Sequence, residues 1–214
     1  MQVTTRTYDI VIWGATGFTG RLVMAYMAKT YGVDGEIKWA VAGRNAAKLA
    51  DVKREILGAD AENLPEVVAD SNDEASLRKL VSDTKVVCTT VGPYALYGST
   101  LVALCAELGT HYCDLTGEVQ WMRQMIEAHQ ATAEASGAKI VHTCGFDSIP
   151  SDLGTYFVQG EMHKAHGVYA PLVKYRVVGS KGGVSGGTVA SMMNMMEEAN
   201  ANPEILDIIA DPYA

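Results

Sequence analysis

The stretch Tyr8-Asp-Ile-Val-Ile-Trp13-Gly14-Ala-Thr-Gly17-Phe-Thr-Gly20 decides the fold. Its first six residues form a short, largely apolar run of β-branched character, the texture of a strand covered on both faces of a parallel sheet. Helical spacing then takes over. Leu22, Val23, Tyr26 and Met27 recur at i, i+1, i+4 and i+5, which predicts an amphipathic helix over residues 20–30 with those four side chains inward. A strand that passes through three glycines into a helix has the context of a dinucleotide-binding turn, here spaced G-x-x-G-x-x-G rather than G-x-G-x-x-G. Gly14 permits the tight turn, Gly17 lets the backbone approach a pyrophosphate, and Gly20 allows helix and strand to pack closely. Free N–H groups and the helix dipole favour the anion. The alternative is a packing turn with no ligand. Its place as the first junction of a longer alternating pattern favours binding by Gly14, Ala15, Thr16, Gly17, Phe18, Thr19 and Gly20.

The pattern repeats outward from this turn. Residues 37–42 read as a second strand, and residues 46–57 as a helix with Asn45 as N-cap and Leu49, the Lys53 stem and Ile56 inward. Residues 66–69 form a third strand. Ser71-Asn-Asp-Glu74 has capping-box spacing ahead of a helix that buries Leu77, Leu80 and Val81. A fourth strand spans 85–91, a helix carries the stripe Leu101, Leu104, Cys105 and Leu108 up to Gly109, and a fifth strand spans 111–115. A helix over 118–136, with Met122, Met125, Ile126 and His129 inward, ends at Gly137, and residues 139–143 close the series as a sixth strand. This alternation predicts an α/β protein with a Rossmann-type, doubly wound parallel sheet, whose ligands bind at the carboxyl ends of the strands.

After Gly145 the texture changes, with a helix near 152–159, an apparent strand over 172–178, a glycine cluster and a Met-rich helix. The domain boundary is placed near Pro150. Residues 1–149 form the dinucleotide-binding domain, and residues 150–214 the beginning of a second, incomplete α/β domain, since Asp211-Pro-Tyr-Ala214 has no finished element behind it.

The 214 residues are 48% apolar and 20% charged, which excludes disordered, collagen-like and coiled-coil classes. A net charge of −8 argues against nucleic acid as a partner. Cys88, Cys105, Cys113 and Cys144 contain no C-x-x-C pair and read as reduced, mostly buried thiols. The start is polar, and no apolar run approaches the ~20 residues of a membrane span. A cytoplasmic protein follows, with peripheral membrane contact left open.

The remaining site candidates lie at the predicted strand ends. The second strand ends in Ala42-Gly43-Arg44-Asn45, where an NAD enzyme would offer an acid to the adenine ribose. A guanidinium suits a 2′-phosphate instead, and Lys48, one helical turn on, adds a second cation. The alternative is a solvated pair at a helix start. NADP is therefore expected over NAD. Asp70 and Ser71 end the third strand and serve either the adenine end or helix capping. Gly92, Pro93 and Tyr94 end the fourth, where the chain passes the nicotinamide ribose. Tyr94 or Tyr97 either orients substrate or fills a loop pocket. Asp114, Glu118 and Asp147 are acid/base candidates that also occupy capping positions. His163-x-x-His166 beside Glu161 lacks a third ligand, so it reads as a solvated loop with no metal. Residues 180–188 are either an anion-binding helix entrance or a flexible loop. The Met192, Met193 and Met196 stripe lines a lipid pocket, a subunit contact or a core. No Tyr-x-x-x-Lys pair occurs, which disfavours short-chain dehydrogenase chemistry.

Together, Gly-Ala-Thr-Gly-Phe-Thr-Gly, Ala-Gly-Arg-Asn, Val-Gly-Pro-Tyr, His-Tyr-Cys-Asp-Leu-Thr-Gly-Glu and Gly-Phe-Asp-Ser-Ile-Pro-Ser-Asp resemble saccharopine dehydrogenase-like oxidoreductases, in the branch with trans-acting enoyl reductases. The resemblance implies an NADP-binding Rossmann domain and a second α/β domain that holds a small-molecule or lipid-like substrate and helps to form a homodimer at full length. It also implies hydride transfer to or from an imine or an enoyl group. By position it makes cofactor contacts of Gly14, Gly17, Gly20, Arg44, Asp70 and Gly92 to Tyr94. No catalytic residue transfers with it. Tyr94 and Asp147 stand as the catalytic candidates from the residues alone. The competing expectation is a non-catalytic NADP-binding sensor or scaffold.

Overall fold

A computed structural model describes residues 6–211. Residues 1–5 of the polar start and residues 212–214 of the tail lie outside it. Six strands, β1 (Tyr8–Trp13), β2 (Trp39–Gly43), β3 (Glu66–Val68), β4 (Thr84–Thr89), β5 (His111–Cys113) and β6 (Ile140–Val141), form one sheet in the order β3-β2-β1-β4-β5-β6. All neighbouring pairs are parallel. This is the doubly wound arrangement expected, with its topological switch between β1 and β4.

Two apolar layers sandwich the sheet. On one face α1 (Phe18–Tyr31) and α2 (Ala46–Leu57) cover Ile12 and Val41 with Met24, Met27, Leu49 and Val52. On the other, α3 (Glu74–Ser82), α5 (Ser99–Leu108) and α6 (Val119–Ser136) cover Val11, Val87 and Tyr112 with Leu77, Leu101 and Trp121. A four-residue helix, α4 (Tyr94–Tyr97), sits between β4 and α5.

The inward faces of two helices differ from expectation. In α1 the buried residues are Gly20, Met24 and Met27, while Leu22 and Tyr26 are exposed. The requirement that Gly20 lie on the turn rotates the helix, and the 20/24/27 stripe follows it inward. In α6 Trp121 and Ala133 are buried, Met122 and Met125 only partly, and Ile126 is exposed, because the helix lies over the sheet edge where β6 ends. The capping box also shifts. Asp73, not Ser71, caps α3, its carboxylate accepting from Ala75 N at 3.1 Å.

Beyond Pro150 the departures are larger. Helix α7 (Ile149–His166) is longer than expected and contains His163 and His166 in its last turn, so they do not lie in a loop. Residues 172–178 form no strand, since no strand edge lies beside them among the described residues. The Met-rich segment is α8 (Gly186–Ala201), followed by α9 (Glu204–Ala210). Met192, Met193 and Met196 are exposed, so they do not fill a core. Only Cys105 of the four cysteines is fully buried; Cys88 and Cys113 face each other across β4 and β5, half-buried, and Cys144 is exposed.

Gly20→Ala would place a Cβ 2.2 Å from Gly14 O and 2.8 Å from Ala15 Cα, both backbone atoms that cannot yield. Urea unfolding is expected to show a loss of about 2–3 kcal/mol. Gly154→Ala, in α7 with nothing within 4 Å, is expected to be neutral or to stabilise by up to ~1 kcal/mol.

Candidate functional site

Because all strands are parallel, their carboxyl ends share one edge, and the turn after β1 occupies the centre of it. Trp13 is level with Ala42 of β2 and with Thr89 of β4. Gly14, at φ +89°, donates through its N–H to Ala42 O at 3.0 Å, and Ala15 N donates to the same oxygen at 3.2 Å. A Cβ on Gly14 would lie 2.6 Å from Val91 Cγ2 and 2.9 Å from Thr90 Oγ1, so the loop after β4 touches the turn directly. Gly17 caps α1 with its backbone alone. No side chain caps that helix and no acid stands in its first turn. The first N–H groups of α1 therefore have no acceptor within the helix and face the edge, a cradle for an anion.

The other candidates distribute around this cradle. Ala15 is buried, Thr16 and Thr19 are half-buried, and Phe18 is exposed at the helix start. Arg44 and Lys48 are exposed beside the turn, and among the described residues neither is in an ion pair. The backbone N–H of Lys48 serves Asn45 Oδ1, leaving its ammonium free. Asp70 is committed to its own turn, where Oδ1 accepts from Asn72 N at 2.9 Å, with Ser71 half-buried in that turn.

On the far side, Thr90 N donates to Trp13 O at 2.9 Å and leads into Gly92, Pro93 and Tyr94. Tyr94 is buried. Its hydroxyl donates to Thr89 O and accepts from Leu115 N, each at 3.4 Å, and its ring lies 5.6 Å from that of Trp121. Burial, followed by the nearby Asp114 charge, pushes its phenol well above the ordinary range. Of the two roles open to it, Tyr94 takes the loop pocket, while Tyr97 is exposed.

The three acids separate by environment. Asp114 is buried and accepts four bonds. Tyr112 OH (2.8 Å) and His142 Nδ1 (2.6 Å) meet Oδ2, and Thr116 N (3.1 Å) and Thr143 N (2.9 Å) meet Oδ1. Burial and that carboxylate hold the Tyr112 phenol protonated. Glu118 is also buried and accepts from Tyr94 N and Ala95 N, both at 2.8 Å, and from Ser191 Oγ at 2.7 Å. Asp147 alone is exposed, its carboxylate lying against Gly117 and Gly145 at the strand-end edge.

Residues 10–141 match the family profile of the saccharopine dehydrogenase NADP-binding domain. The chain belongs to that family. Among its relatives, a trans-acting enoyl reductase of Mycobacterium leprae is 39% identical over 216 residues, covering 97% of this chain and 49% of the relative. A trans-acting enoyl reductase of Mycobacterium tuberculosis is 39% identical over 214 residues, covering all of this chain and 50% of the relative. The chain thus spans about half the length of the curated relatives it matches. The apo saccharopine dehydrogenase (L-Glu forming) of Saccharomyces cerevisiae superposes with a TM-score of 0.57 at 20% identity, covering 74% of this chain and 32% of that one, a likeness of fold. The residues of the edge fit the family's NADP, since the start of α1 carries no capping side chain and no acid in its first turn, and Arg44 and Lys48 are exposed nearby. Among the described residues no group of three or more His, Cys, Asp or Glu could hold a metal.

Three participants gave no signal in the sequence. His142 supports Asp114, and its ring meets those of Tyr112 and Trp121 edge-on at 5.7 and 5.2 Å. Trp121, whose indole N–H donates to Ser99 Oγ at 3.0 Å, and Ser191 join elements far apart in the chain.

Asp114→Asn is expected to destabilise the protein by about 2–3 kcal/mol, because an amide would turn an N–H toward a donor in a buried site. Asp147→Asn should stay within about 0.5 kcal/mol of the parent. Thermal unfolding of the two variants checks the contrast.

Proposed function

We propose that the chain is the dinucleotide-binding part of an NADP-dependent oxidoreductase that moves a hydride between NADP(H) and an imine or enoyl substrate of lipid-like character. The observation that carries this is the pair of unpaired cations, Arg44 and Lys48, beside an uncapped glycine turn at the switch point of the sheet. A free guanidinium there matches the extra phosphate of NADP, and Arg44 stands at the strand end where an acid would serve the ribose hydroxyls of NAD.

When bound, the nicotinamide supplies the hydride chemistry. The chain supplies binding at residues 14–20, selection at Arg44 and Lys48, and a fixed wall at Gly92 to Tyr94. Asp147 is the acid/base candidate of this reading by position, since its side chain is open to a ligand at the edge while Asp114 and Glu118 are engaged internally. The enoyl reductase names of the relatives favour the enoyl substrate.

At full length, the same reading makes the protein a cytoplasmic homodimer with peripheral membrane contact. Leu153, Tyr156 and Phe157, exposed along α7, support such a contact, and among the described residues no helix is long and apolar enough to cross a membrane.

NADPH oxidation followed by absorbance, with a panel of enoyl and imine compounds, tests the activity; binding without turnover on every compound would favour the sensor. Arg44→Ala is expected to weaken NADPH ten- to a hundredfold, the loss of about 1.5–3 kcal/mol of charge-assisted bonding, and to leave NADH unchanged. Comparable affinity for both dinucleotides in variant and parent would remove the cofactor assignment.

A further inference from the structure

We propose that Glu118 is a positioning residue for the nicotinamide end of the cofactor, fixing the β4–α4 loop in place and joining it to α8. The inference rests on the NADP reading given above.

Glu118 stands at the N-cap position of α6 yet does not cap its own helix. The residue is 2% exposed, and its carboxylate reaches back to backbone more than twenty residues earlier. Oε1 accepts from Tyr94 N and Oε2 from Ala95 N, a two-pronged hold on consecutive peptide groups. A buried carboxylate is costly unless its oxygens are bonded, and here both are. The opposite end of the loop is tied to the glycine turn, through Thr90 N to Trp13 O at 2.9 Å and Thr90 Oγ1 within 3.3 Å of Gly14 O. Residues 91–93 are therefore strung between two anchors. One belongs to the turn that holds the pyrophosphate, and the other is Glu118.

In a sheet of order 3-2-1-4-5-6 the dinucleotide crosses the switch point, with its adenosine half over β2 and its nicotinamide half over β4. Arg44 and Glu118 thus govern opposite ends of the same ligand. The third donor to Glu118 is Ser191 from α8, whose hydroxyl lies 3.5 Å from where a Cβ on Gly92 would stand. One carboxylate thus joins α8 to the nicotinamide wall, beside the separate contact of Gln120 with Glu198 on the same helix.

The test compares NADPH with 2′,5′-ADP, which carries the adenosine end and the 2′-phosphate but no nicotinamide. Glu118→Gln is expected to bind 2′,5′-ADP within about twofold of the parent and NADPH about tenfold more weakly, since an amide keeps one acceptor and opposes a donor with the other prong. Ser191→Ala removes a single donor and leaves the carboxylate and its two backbone bonds in place. It should weaken NADPH about threefold with 2′,5′-ADP unchanged, and it decides the matter if Glu118→Gln does not fold. Parallel losses of both ligands, or parental NADPH affinity in a folded variant, overturn the positioning role. A parent protein that fails to bind 2′,5′-ADP overturns the NADP reading itself, which is a separate outcome.

Discussion

The first turn of α1 packs tightly against the bend that leaves β1. There is no room for even a methyl group at position 20, where it would stand 2.2 Å from the Gly14 carbonyl oxygen. This one contact fixes the direction of α1, which determines that Met24 and Met27 rather than Leu22 and Tyr26 enter the core. It also aims the uncapped end of the helix at the centre of the strand-end edge, between Arg44 and the loop after β4. Packing therefore places a demand on these glycines that also leaves the start of α1 free of a capping side chain.

Charge at this edge is divided by burial. Asp114 and Glu118 lie inside and are fully engaged with donors from other segments, so each works as a cross-link between strand-end loops. Arg44, Lys48 and Asp147 stay exposed. Two of the three carboxylates at this edge, Asp114 and Glu118, are thus withdrawn behind hydrogen-bond donors, while Asp147 and the cations Arg44 and Lys48 remain at the surface.

The segment beyond residue 149 obeys weaker constraints. Helix α7 buries none of its residues, and residues 172–178 have no regular secondary structure, with Val177 and Val178 in solvent. Alternation of apolar residues gives a strand only where another edge supplies backbone partners, and none is present there among the described residues. By contrast α8 is anchored through polar contacts, Ser191 with Glu118 and Glu198 with Gln120, which no apolar pattern announces.

Sequence alone determined the local features: the strand-helix alternation, the glycine turn, Asn45 as the cap of α2, Gly109 and Gly137 as helix stops, and Arg44 as the cation beside the turn. Each depends on the conformational preferences of a few consecutive residues, and the family resemblance rests on the same local strings. Tertiary structure alone decided which acid is buried, which tyrosine faces inward, and that His142 meets Asp114, Trp121 meets Ser99 and Ser191 meets Glu118. Those outcomes depend on side chains meeting across 20 to 80 residues of chain, where burial and hydrogen bonding are settled by packing. No spacing within a single segment encodes that.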